Sequence, residues 1–142
     1  MIVLDANILL YAYGAASPHH EKARVWLADA FSGASTVGLP WLSLAAFLRV
    51  VTNPRVPGFR RSVEEASRVV DEWLEQPNVR VLVPGEQHWL IFRQMITEGQ
   101  ATGPLVTDAQ LAAVTIEHGG ILYTTDRDFA RFPGLRWKNP LE

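Results

Sequence analysis

Four aspartates, Asp5, Asp108, Asp126 and Asp128, have the types and placement that could do chemistry. Asp5 directly follows the apolar run Ile2-Val3-Leu4, and Asp126 follows the run Ile121 to Thr125. Both runs read as strands, the first as a buried parallel one. In a parallel sheet the carboxyl ends share one edge, and ligands of open α/β sheets bind outside it. Asp128 lies two residues beyond Asp126. Asp108 lies about one turn into a helix opened by Gly103-Pro104, whose first turn can face the same edge. Carboxylates gathered there raise one another's pKa and oppose ionisation. A hard divalent cation, Mg²⁺ or Mn²⁺, reverses that cost, because it takes oxygen ligands and keeps several waters. So held, it can lower the pKa of a water, orient a phosphodiester and stabilise the leaving oxygen.

Each acid also has a plainer reading. Asp5 can cap the helix that follows it. Asp126 and Asp128 can form an Asx turn. Asp108 is harder to explain so, because Leu105 to Ile116 is otherwise largely apolar. Phospho-aspartyl chemistry at Asp5 is disfavoured. It wants a carboxylate two residues on, where Asn7 stands, and a partnering lysine, and neither Lys22 nor Lys138 is suitably placed. His19, His20, His88 and His118 show no metal-ligand spacing with one another.

The elements that must position these acids alternate. A helix is expected from Asn7 to Tyr13 and stopped by Gly14. A second starts at Ser17-Pro18 and buries Ala23, Trp26, Leu27 and Ala30. A strand runs from Ser35 to Leu39, and Pro40 opens a helix that ends before Asn53-Pro54. Ser62 and Glu65 form a capping box for a helix running to about Gln76. Val79 to Val83 is a strand, Gln87 to Glu98 a helix, and Leu135 to Trp137 a final edge strand. Trp26, Trp73 and Trp89 fall at helical apolar positions and read as packing residues. The pattern predicts an α/β single domain over residues 1–142, with a central parallel sheet of four to five strands flanked by helices.

At 142 residues, the chain suits one core. It has no cysteine, which excludes disulfides and thiolate zinc sites. No apolar stretch is long enough to span a membrane, and Asp5 interrupts an N-terminus that lacks a basic lead, so a cytoplasmic protein is expected. Net charge is −2, but residues 30 to 63 contain no acid and carry Arg49, Arg55, Arg60 and Arg61. Arginine suits bidentate phosphate contacts, which makes these four candidate phosphate-binding residues.

Four segments, IVLDANILLYA, PWLSLAAFLRVVTNPR, TGPLVTDAQLAAVTIEHGG and ILYTTDRDFARFPGLRW, together resemble the PIN-domain ribonucleases, in particular VapC-type toxins of toxin–antitoxin systems. The resemblance covers essentially the whole chain. It implies a PIN fold, a Mg²⁺ or Mn²⁺ requirement and endoribonuclease activity. By that resemblance Asp5 and Asp108 are direct metal ligands. Asp126 and Asp128 orient metal-bound waters or hold a second ion, with Asn7 and Thr125 as supporting polar residues. It also implies a cognate antitoxin and a homodimer. The chain departs from the family at Ala46, where a glutamate commonly precedes the Phe-Leu-Arg segment. Ser43, one turn earlier, offers only a neutral oxygen. The leading expectation is therefore RNA cleavage by metal-activated water, with one metal rather than two. The alternative is a catalytically weak RNA- or protein-binding module.

Overall fold

The computed structural model describes residues 1–142. In chain order the elements are β1 (Ile2–Leu4), α1 (Ala6–Tyr13), α2 (His20–Ser32), β2 (Val37–Pro40), α3 (Trp41–Val51) and α4 (Val63–Leu74). These are followed by β3 (Val79–Leu82), α5 (His88–Glu98), α6 (Leu105–Glu117), β4 (Ile121–Tyr123), a 3₁₀ helix (Arg127–Arg131) and β5 (Trp137–Lys138). The five strands form one sheet in the order β3-β2-β1-β4-β5, and every pairing is parallel. The chain moves outward from β1 through β2 to β3, then returns to β1's other side for β4. The order therefore reverses between β1 and β4, and this crevice is where an open α/β sheet takes its ligand.

Strand parity builds two cores. Val3 faces one with Leu122, Met95, Leu111 and Phe129, under α5 and α6. Leu4 faces the other with Leu39, Phe47, Val70 and Trp73, under α1 to α4. Adjacent residues of one strand point to opposite faces, so a three-residue β1 can serve both layers. The Ser62–Glu65 capping box starts α4 as expected, with both reciprocal bonds formed.

Several boundaries differ from the sequence expectation. The second helix begins at His20 rather than at Ser17-Pro18. Ser17 Oγ instead accepts from His19 N–H (3.1 Å), and His20 N–H donates to Ser17 C=O (3.1 Å), which makes a separate turn. The second strand starts at Val37, because the Ser35 carbonyl is taken by Asn78 Nδ2 (3.0 Å). The last strand lies at Trp137–Lys138, set by pairing of Leu122 with Trp137. Trp73 is buried and Trp26 stacks on Tyr123, but Trp89 is exposed and meets only the edge of Phe92. It sits at the start of a helix whose single buried residue is Met95.

Gly120 leads into β4 at a place where no side chain fits. A Cβ there would lie 2.5 Å from Val3 Cγ2, and Val3 is fully buried in β1. Gly120→Ala should cost about 1–3 kcal/mol through overpacking of this strand pair. The expected reading is a lower urea midpoint with an unchanged m value.

Candidate acidic site

Register carries the acids together. Leu4 pairs with Tyr123, and the Asp5 N–H donates to the Tyr123 carbonyl (3.2 Å), so Asp5 leaves β1 level with the residues that leave β4. The structural roles open to Asp5 and Asp126 are both realised. Asp5 Oδ1 caps α1 by accepting from Ala6 N–H (2.7 Å). Asp126 Oδ1 accepts from Asp128 N–H (2.9 Å) in an Asx turn that starts the 3₁₀ helix. These bonds orient the carboxylates and leave further oxygen lone pairs on each.

Thr124 is the hub of the site. Its fully buried hydroxyl donates to Asp5 Oδ2 (2.7 Å) and accepts from Asn7 Nδ2 (3.2 Å) and from Asp126 N–H (3.0 Å). Asn7 Nδ2 also donates to Thr125 Oγ1 (3.0 Å), so Asn7 ties the end of β4 to the first turn of α1. Asn7 Oδ1 is buried without a hydrogen-bond partner. The sequence singled out Thr125 and missed Thr124. The signal was present, since Thr124 shares strand parity with buried Leu122.

Asp108 lies in the first turn of α6 and, with Asp5, lines a cleft of about 330 Å³ walled by Ser43, Ala46, Arg49 and Thr107. Its carboxylate accepts no hydrogen bond from the protein and joins no ion pair. Burial raises its pKa to about 6, helped by the charges of Asp126, Asp5 and Asp128 and opposed by that of Arg131. Burial also raises the pKa of Asp5, against the lowering effects of the Thr124 and Ala6 hydrogen bonds, with the Asp126 charge adding to the rise. Arg131 was not foreseen. It is held by the Gly99 carbonyl (3.1 Å), and nothing in its local sequence signals that its charge reaches Asp108.

Asp126 and Asp128 do not line the cleft, although their charges are felt in it. No three His, Asp or Glu side chains converge closely enough to hold one ion between them. The protein can thus offer an ion two hard oxygen donors and a surplus of negative charge. That suits Mg²⁺ or Mn²⁺, which keep much of their water shell. Ala46 lies in the cleft wall as a methyl group where a carboxylate could have reached. Ser43 does not replace it, because its buried hydroxyl donates to the Leu4 carbonyl (2.6 Å). That bond pins α3 to the end of β1. Among the arginines, Arg49 enters the cleft, Arg60 and Arg61 line a second one, and Arg55 lines neither.

Two consequences can be measured without any ligand. A carboxyl whose folded pKa is raised favours the fold at low pH and loses that contribution as pH climbs from about 4 to 6. Metal-free Asp108→Asn should therefore be more stable than the parent at pH 7, by about 1 kcal/mol after allowing for solvent screening, or a Tm gain of about 2–4 °C. The gain should vanish by pH 4. Thr124→Val, by contrast, strands the Asp126 N–H and frees Asp5. It should cost about 1–3 kcal/mol in chemical denaturation, and Thr124→Ser should restore most of it.

Comparison with known proteins identifies the family and the fold. A family model described as PIN domain matches residues 2–135. Ribonuclease VapC33 of Mycobacterium tuberculosis is 39% identical over 141 residues, 99% of each chain. Ribonuclease VapC43 of the same species is 40% identical over 142 residues, 100% of this chain and 97% of that one. Among solved structures, VapBC-1 from nontypeable Haemophilus influenzae aligns over 100% of both chains, with a TM-score of 0.72 at 19% identity, and so shares the fold. On the family match, the whole-length relatives and the parallel sheet with its acidic switch point, the chain belongs to the PIN-domain family, among its VapC-type proteins.

Proposed function

We propose that the protein is a metal-dependent endoribonuclease and the toxin half of a toxin–antitoxin pair. The observation that carries this is Asp108. It is a half-buried carboxylate with no protein partner, set in a cleft with Asp5 and raised in pKa by burial and three neighbouring aspartates. A fold gains nothing from leaving such a group uncompensated, whereas a cation site requires it. The whole-length relatives named ribonucleases supply the reaction class.

Asp5 and Asp108 would hold Mg²⁺ or Mn²⁺, with waters completing its shell. The bound ion supplies Lewis acidity toward a water and the phosphodiester oxygens. The chain's own part is preorganisation. Thr124 fixes the Asp5 carboxylate by its O–H, and Ala6 N–H fixes the other oxygen, so Asp5 needs no reorganisation to bind. Asp126 is held by its backbone N–H, which donates to the Thr124 hydroxyl, and by the Asp128 N–H, which donates to its Oδ1, and its field keeps the cleft negative. RNA with unpaired loops presents the exposed phosphodiesters such an open cleft can reach.

The partners that go with this reading are RNA, an antitoxin protein and a second copy of the chain, and the compartment is the cytoplasm. No helix is long and apolar enough to cross a membrane. A second reading, a weakly catalytic binding module, is favoured by one feature, the methyl group of Ala46 in the cleft wall.

One assay decides between them. Purified protein should cleave structured RNA with Mn²⁺ or Mg²⁺ and stop in EDTA. Asp5→Asn and Asp108→Asn should each lose at least about 100-fold in rate, as removal of a group that acts on the reacting charge does. Cleavage that survives both substitutions sinks the nuclease reading at this site. Mn²⁺ binding without turnover favours the module.

A further inference from the structure

The acidic cleft is not the only opening along α3. Arg49, on that helix, lines the acidic cleft. Thr52, three residues later at its C-cap, lines a second cleft of about 470 Å³ together with Pro54, Arg60, Arg61 and Ser62. Residues three apart are neighbours on one helix face, with Cβ atoms about 5–6 Å apart. The two clefts therefore lie next to each other, joined by the Arg49–Thr52 edge of α3.

The second cleft has the chemistry of an anion site. It holds two arginines and the Ser62 hydroxyl, while the Thr52 hydroxyl is spent on the Leu48 carbonyl (2.6 Å), and no aliphatic or aromatic side chain lines it apart from the Pro54 ring. Neither arginine makes an ion pair, although the protein pairs Arg24 with Glu21 and Arg127 with Glu142. Arg61 is preorganised. Its N–H donates to the Val51 carbonyl (3.0 Å), its guanidinium lies 5.3 Å from the Tyr13 ring centroid, and its buried Nε has no partner. Ser62 Oγ accepts from Glu65 N–H (3.1 Å), which leaves the hydroxyl proton free to donate. Glu65, the nearest acid in sequence on that side apart from Glu64, has its Oε1 occupied by the Ser62 N–H (3.2 Å).

We propose that the Arg60–Arg61–Ser62 cleft binds a backbone phosphate of RNA. It would be reached from the acidic cleft past Arg49, and it would grip the strand to one side of the bond that is cut. The proposal deepens the ribonuclease reading and rests on it for the identity of the polyanion. The favoured occupant is a nucleic-acid backbone rather than an acidic peptide, because the cleft's own lining has no apolar wall, and the neighbouring apolar cleft that Arg61 shares with Tyr13 and Trp73 carries Glu72, which would repel an acidic peptide. A planar guanidinium fork also matches a phosphate in two-point contact.

The test measures binding of a single-stranded RNA of about ten nucleotides, a length on the scale of one single-strand site. It is done in EDTA across a salt series, with poly-glutamate as a competing probe. The variants are Arg60→Gly, which suits the left-handed backbone of Arg60 (φ 39°), Arg61→Gln and Arg61→Lys. Circular dichroism and Tm verify that each is folded. Arg60→Gly and Arg61→Gln are expected to weaken binding several-fold, and to reduce the slope of log affinity against log salt by about 0.7 for each phosphate that is no longer neutralised. Arg61→Lys should keep the slope and recover only part of the affinity. Unchanged affinity and slope in folded variants overturn the proposal, as does arginine-dependent binding of poly-glutamate without that of RNA. Wild-type cleavage is scored separately. Arginine-dependent RNA binding by a protein that does not cleave retains the phosphate site and removes the nuclease reading. A protein that neither binds nor cleaves RNA overturns both.

Discussion

The Thr124 hydroxyl can meet Asp5 only because β1 and β4 run parallel in a fixed register, with Leu4 opposite Tyr123. A slip of one residue would turn every side chain of β4 to the other face of the sheet, taking Leu122 out of its core and Thr124 off the site. Register is therefore held by burial. Val3, Leu4 and Leu122 are fully buried, and Gly120 leaves room for Val3 and nothing more. The packing that fixes the strand pair is the same packing that fixes the acids, so stability and site geometry are not separable here.

The site in turn works against the fold. Asp5 and Asp108 are both pushed toward the neutral form by burial, and Asp126 adds a like charge to each. The protein answers unequally. Asp5 is compensated by two short hydrogen bonds, while Asp108 receives none. An acid held by two donors is fixed in orientation and still has lone pairs to offer. One with no donor beside it keeps all of its oxygen lone pairs available. This asymmetry separates a pre-oriented carboxylate from an unpartnered one within a single cleft.

Much of this was legible in the sequence. Alternation of apolar runs with helical faces specified a sheet of parallel strands, because each run is short and flanked by turn residues. Placing Asp5 and Asp126 at strand ends then required only the rule that parallel strands share an edge. Errors arose where a side chain competes for backbone. Ser17 caps a turn rather than a helix, and Asn78 captures the Ser35 carbonyl and delays β2. Thr124 was missed because two threonines stand together and only strand parity tells them apart. Arg131 was not legible at all. Its influence on Asp108 comes from a tertiary approach fixed by the Gly99 carbonyl, about thirty residues away in sequence. That Asp126 and Asp128 act on the cleft by field rather than by lining it is likewise a matter of distance, which spacing along a chain does not encode.

Helix α3 shows how one element can carry opposite electrostatic duties. Its buried face, Leu44, Phe47 and Val51, anchors it in the core. Its first turn is tied to β1 by Ser43, so its start is fixed relative to Asp5 to within a hydrogen bond. A helix fixed at one end and packed along its length is a ruler of about 1.5 Å per residue. Ala46 and Arg49 then fall in the acidic cleft and Thr52 beyond it, at distances set by helical geometry and not by loop conformation. Placing a methyl group at Ala46 lowers the negative charge on this wall, and Arg49 one turn later makes the wall cationic. A carboxylate at position 46 would have stood between a polyanion and Arg49. The wall as built puts negative charge on the Asp5–Asp108 side of the cleft and positive charge on the α3 side. Under the proposed function, such a division would let one cleft take a cation and a phosphate on separate walls.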